Sequence, residues 1–179
     1  MLRTFLLLQI FTLFSVVAWA QKTQEKDPYD KAYEKRTKQE VLYGVYIPKD
    51  VAEAILQLNK LVDEKSKTKF KSMPEEEASH KLFFSLGRWM TYNWNFYEGS
   101  RLSAHIQQMG IYHPDDMSRF LIIVFHRSLN KKPLEIQQLI KKFQEKQELE
   151  KQERLNKGTI LHQEKRKKSP TNGKGGNER

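Results

Sequence analysis

His113, His126, Asp115 and Asp116 are the residues of this 179-residue chain best suited to acid–base chemistry. An imidazole acts as a general base when a carboxylate orients it, and Arg88 or Arg101 could hold an anionic substrate beside it, which is the constellation of a small hydrolase. The same side chains have structural uses that account for them more simply. Asp115 and Asp116 follow Pro114 in what reads as the first turn of a helix, where carboxylates face the positive end of the helix dipole. Arg119 stands four and three residues further on, the spacing of intrahelical ion pairs. His113 is placed to cap that helix, and His126 lies on a nearly all-apolar segment, as a hydrogen-bonded core or boundary histidine does. A catalytic role for these four is therefore the weaker reading.

A second set, Arg88, Trp89, Asn93, Trp94, Arg101 and Arg127, suits recognition, because tryptophan and arginine carry a large share of binding energy when partly exposed. The alternative is that Arg88 and Asn93 only bond loop carbonyls around buried tryptophans. Metal and cofactor chemistry has no support. The chain has no cysteine, and its five histidines include no pair spaced i, i+4 and no His-Glu-x-x-His run. A Gly-x-Ser-x-Gly elbow, a glycine-rich phosphate loop and a dinucleotide fingerprint are likewise missing from the sequence. No metal site and no cofactor is expected.

The elements that must position these residues are helical. Val51, Ala54, Ile55, Leu58, Leu61 and Val62 have the spacing of an amphipathic helix, and Lys65 to Ser72 breaks the pattern. Met73-Pro74-Glu75-Glu76-Glu77 announces a second helix, running to about Tyr97 and holding seven aromatic residues, which predicts a central position in the core. Ser100 is a good N-cap for a helix from Arg101 to Met109 closed by Gly110. Another helix follows Pro114, buried through Phe120 to Phe125, and a last one starts near Leu134 with Ile136, Leu139, Ile140 and Phe143 on one side. Before them, Val41 to Ile47 is β-branched and aromatic enough to form a short extended arm.

The two ends differ from this body. Met1-Leu2-Arg3 leads an apolar run from Phe5 to Val17 that closes on Ala18-Trp19-Ala20, the pattern of a secretory signal peptide cleaved before Gln21. The run is shorter than the roughly 20 apolar residues of a membrane span, so no integral span is expected after cleavage. Residues 21–40 read as a flexible polar lead-in. Basic residues outnumber acidic ones two to one from Lys141 to Arg179, whereas Val41 to Ile140 is nearly balanced, so the formal charge of +10 comes mainly from the tail. Residues 146–164 predict a projecting or frayed charged helix, and residues 165–179 a disordered basic tail. The Lys165–Lys168 run could attach to an anionic surface, although such runs commonly do no more than solubilise.

Phe84 to Trp94, with Gly99-Ser-Arg-Leu-Ser103, Gly110 to Ser118, Ile47-Pro-Lys-Asp50 and Phe125 to Asn130, resembles domain of unknown function 6794, a bacterial family. The resemblance covers about Val45 to Pro133 and implies no reaction, substrate or cofactor. In that family Arg and Asn commonly stand where this chain has Thr91 and Tyr92, which argues against a mechanism built on those two side chains.

The expectation is an all-α compact bundle of about four or five helices over residues 41–145, with a short extended N-terminal arm and a disordered basic C-terminal tail. Its expected role is that of an exported, periplasmic or secreted, non-enzymatic binding module for a protein or envelope component, with a contact surface around Trp89, Trp94, Arg101 and His113. A hydrolase and a tail-driven surface attachment are the alternatives.

Overall fold

The structure is a computed structural model and describes residues 27–167; the signal-peptide segment and the tail beyond Lys167 lie outside the described residues. The chain divides into two units, Met1–Lys35 and Arg36–Arg179. In the first, Asp27 starts helix α1 (Pro28–Arg36) by accepting the Tyr29 N–H at 2.8 Å. The polar lead-in thus contains a helix where the sequence predicted no element, because its capping is local while its faces lack any apolar stripe.

The second unit opens with a two-stranded antiparallel hairpin, β1 (Val41–Leu42) and β2 (Val45–Tyr46), pairing Val41 with Tyr46 and Leu42 with Val45. Its two-residue turn holds positive φ at both Tyr43 (50°) and Gly44 (80°), which matches the right-handed twist of paired strands. Leu42 and Ile47 are buried, so the arm packs on the body as expected.

Helix α2 (Val51–Leu61) starts at Asp50, whose carboxylate accepts the Glu53 N–H, and buries Val51, Ala54 and Leu58. Leu61, assigned to the same stripe by spacing, is instead 54% exposed. Lys65 to Ser72 is no break. It belongs to helix α3 (Glu64–Ser72), capped by Asp63. Its inward face carries Phe70 and a buried Lys67, whose ammonium donates to the Asn59 carbonyl at 2.8 Å and pairs with Glu64 at 2.6 Å. A lysine in an inward position hides the periodicity that announces a helix.

The aromatic segment also departs from a single helix ending near Tyr97. Helix α4 (Glu75–Leu82) passes into a π-helical turn over Phe83–Gly87, then into α5 (Arg88–Asn93), and the chain turns back through Trp94 to Glu98. The wider turn brings Phe83 and Gly87 to the buried side together. A Cβ on Gly87 would stand 3.1 Å from Phe83 Cδ2 and 3.3 Å from Ile122 Cδ1, so the backbone approaches its neighbours closely there.

Helix α6 (Arg101–Gln108) begins with a reciprocal Ser100/Ser103 capping box, and Gly110 leaves it at φ 98°. Helix α7 (Pro114–Leu129) is the axis of the unit: α2 to α6, the π turn and the long helix α8 (Ile136–Lys167) all pack on it. The predicted centre was the aromatic helix. The axis is α7 because Met117, Phe120, Leu121, Ile122, Val124 and Phe125 bury apolar side chains on nearly every side, whereas the π turn and α5 leave Phe84 and Tyr92 in solvent. Leu139, Ile140 and Phe143 seat α8, and its helix continues unbroken to Lys167. The fold is helical, as expected, with more helices than four or five.

Candidate functional site

The acid–base set does not assemble. His113 is exposed and caps α7, its Nδ1 accepting the Asp115 N–H at 3.2 Å. Asp115 accepts the Tyr97 hydroxyl at 3.1 Å. Desolvation, reinforced by that bond, pushes the Tyr97 phenol above its ordinary range. Asp116 is buried and accepts Lys146 Nζ at 2.8 Å and Gln147 Nε2 at 3.4 Å. His126 is buried, with Nε2 3.0 Å from the Met73 carbonyl oxygen and its ring edge-on to Phe70. Its Nδ1 has no hydrogen-bond partner among the described residues. Neither imidazole bonds a carboxylate among the described residues, so the geometry of a His/Asp pair is not formed. Arg119 also departs from its expected ion pairs, stacking its guanidinium 3.8 Å from the centre of the Phe83 ring.

Two of the three arginines expected to face a partner, Arg101 and Arg127, hold the fold together. Arg101 donates from Nε to the Ile47 carbonyl at 2.7 Å and from Nη1 to Glu40 at 3.0 Å, and its guanidinium lies over the Tyr46 ring. Beside it Glu53 accepts the Lys49 N–H and the Tyr46 hydroxyl, both at 2.7 Å, and these bonds hold its carboxyl below the ordinary range. Arg127 grips Glu75 with two nitrogens and the Leu134 carbonyl with the third. Trp94 is 1% exposed and offers no surface. Asn93 donates to the Trp89 carbonyl at 2.9 Å within its own helix, not to a loop carbonyl, and Arg88 is exposed.

Of the recognition set, Trp89 lines an open apolar groove. The groove has a volume of about 640 Å³ and runs between α3 with its preceding turn and the α4–π–α5 segment. Val62, Phe70, Met73, Leu82, Leu86 and Trp89 make it apolar; Lys69 and Lys81 stand on its rim. The π turn creates part of this wall, since Ser85 and Leu86 both belong to it. Wide turns of this kind recur at functional sites.

The charges around the groove are unequal in availability. Asp63 is engaged as the α3 cap, and its hydrogen bonds from Ser66 hold its carboxyl below the ordinary range. Lys81 pairs with Glu77 across one helical turn. Lys69 has no ion-pair partner among the described residues. Sequence reasoning missed every groove residue except Trp89. Val62 was assigned to a core stripe, and Phe70 stood in a segment thought to be a break.

Among the described residues no group of three or more metal-binding side chains converges, and no helix is long and apolar enough to cross a membrane. Residues 47–129 match the model of a family described as Domain of unknown function (DUF6794), the family the motifs resembled. No curated protein and no solved structure matches the chain.

Proposed function

We propose that this chain, whose DUF6794-like segment holds the groove, is an exported, non-enzymatic binding module that takes a single-chain fatty carboxylate. The observation that carries the reading is the pairing of six apolar side chains with a lysine rim on one open groove. Each methylene moved from water onto such a lining is worth about 0.8 kcal/mol, which supplies affinity. Lys69, which has no ion-pair partner among the described residues, supplies the sign, with Lys81 beside it already paired to Glu77, because an ammonium favours a carboxylate head over a neutral or cationic one. Asp63, turned to its own helix cap, competes little for that role. Export rests on the pattern of residues 1–20, and the protein recovered from an envelope fraction should begin at Gln21.

The test is a titration of the mature chain with laurate, below its micelle concentration, followed by tryptophan fluorescence. Dodecyltrimethylammonium, with the same chain and the opposite head, is the control. Saturable laurate binding that weakens at least fivefold in the Lys69→Glu, Lys81→Glu double variant supports the reading. Equal binding of both amphiphiles, or no saturable binding, overturns it.

A further inference from the structure

A second concavity, of about 440 Å³, lies at the hairpin turn and the end of α5 and shares no lining residue with the groove. We propose that it is a binding site for an alkylammonium group. Tyr43, Tyr92 and Tyr97 line it at 80%, 84% and 67% exposure, with Asn93, Asn95 and Glu98 between them. Aromatic rings left this open present their electron-rich faces to solvent, and a cation is the ligand such faces attract.

Hydrogen-bond accounting selects the same ligand. Tyr43, Tyr97, Asn93 and Asn95 each already spend a donor within the protein. The Tyr43 hydroxyl donates to Glu98 Oε2 at 3.3 Å and that of Tyr97 to Asp115. The Asn93 amide donates to the Trp89 carbonyl, and that of Asn95 to the Gly99 carbonyl at 3.2 Å. Oδ1 of both asparagines has no hydrogen-bond partner among the described residues, and Glu98 has no ion-pair partner there. Arg36 reaches Glu98, but it donates to the main-chain oxygen. What remains is richer in acceptors and π faces than in donors, the Tyr92 hydroxyl and one N–H of each asparagine amide being the donors left. A primary ammonium brings N–H donors and charge and a quaternary one brings charge alone, and neither group carries an acceptor, so both complement that set; a sugar hydroxyl also needs donors, which the recess has largely used.

Two lining residues, Tyr43 (φ 50°) and Asn95 (φ 53°), hold left-handed backbone. Asn tolerates that conformation and Tyr rarely adopts it. The hairpin turn requires it at Tyr43 and the C-terminal cap of α5 at Asn95, so the backbone itself fixes one aromatic wall and one amide of the recess.

The experiment is a two-dimensional amide NMR titration of the full mature chain with choline, and separately with Nα-acetyl-lysine methylamide. The neutral choline isostere 3,3-dimethylbutanol and chitotriose are the comparisons. Expected are saturable shifts confined to residues 43–46 and 91–98 with both cations, and no saturable shift with the neutral isostere. Glu98→Gln and Tyr92→Ala, whose spectra should otherwise match the parent, should each weaken the cation at least fivefold. The stronger of the two cations then tells a headgroup source from a lysine side chain. Equal shifts with the isostere, saturable binding of chitotriose alone, undiminished affinity in Glu98→Gln, or no saturable shift would each overturn the proposal. Because laurate occupies the other concavity, its result leaves this one unaffected.

Discussion

Arg127 and Glu75 meet in a two-pronged ion pair across 52 residues of sequence, with Nε 2.8 Å from Oε2 and Nη2 2.7 Å from Oε1. The remaining nitrogen, Nη1, donates to the Leu134 carbonyl at 2.8 Å. One guanidinium therefore ties the last turn of α7 to the first turn of α4 and to the connection into α8. It uses the planar fork that a lysine could not supply.

Replacing Glu75 with Gln should lower stability by about 2 kcal/mol, the scale of a charge-assisted hydrogen bond, in urea unfolding at pH 7. The pH dependence has a definite sign. The Arg127 bond holds the Glu75 carboxyl below the ordinary value of 4.5, so the folded state binds this proton less readily than the unfolded state. Its contribution is complete above that ordinary value and is lost as pH falls through the lower folded one. Urea midpoints from pH 7 to 3 should drop less steeply in Glu75→Gln than in the parent. Parallel curves would mean that the pair adds nothing to acid sensitivity.

The two tryptophans, edge to face at 5.7 Å, should behave differently. Trp94→Ala should cost about 3–5 kcal/mol, as for other buried aromatics, and lower Tm. Trp89 is half-buried at the groove, so Trp89→Ala should cost less than half of that while abolishing saturable laurate binding. Calorimetry and the fluorescence titration, made on the same two variants, check both halves.

Asp116 keeps only 7% of its side chain exposed and is paired with Lys146 of α8. Lys146→Met leaves the carboxylate with the Gln147 amide alone, and should destabilise by about 1–3 kcal/mol. Adding Asp116→Asn should recover most of the loss, because the uncompensated charge is gone. A double-mutant cycle in urea measures this, and simple additivity of the two substitutions would show that they do not interact.

Gly110 ends α6 at φ 98°, and a Cβ there would fall on the Gln144 amide. The glutamine can swing aside, but the backbone cannot, so Gly110→Ala should cost about 1–2 kcal/mol. Gly110→Asn should cost less, since asparagine tolerates left-handed caps. Thermal unfolding of the two variants ranks them.

Much of this was legible along the chain. Pro74, Ser100 and Pro114 mark helix starts, Gly110 marks an end, and the apolar run from Phe120 to Phe125 marks a buried helix. Each of these signals acts between residues at most four apart, so the local sequence carries it whole. The family resemblance was legible for the same reason, as short motifs in order. Where the local signal was contradictory, the reading failed. Lys67 occupies an inward position and concealed α3, and the helix stops at Asn93, so that Trp94 is buried at its end while Tyr97, in the following turn, is exposed.

Partner choice and exposure were decided by tertiary structure alone. Arg101 could have faced a ligand, but the fold set the Ile47 carbonyl and Glu40 within its reach from 54 and 61 residues away. His126 could have met an aspartate, but it met the Met73 carbonyl instead. The groove at Trp89 and the tyrosine recess are spaces between elements, shaped by how helices and a hairpin pack. Residue types and spacing determine which segments become helices and which faces are apolar; which charged groups find one another, and which aromatic rings stay in water, depends on distances that only the packed chain defines.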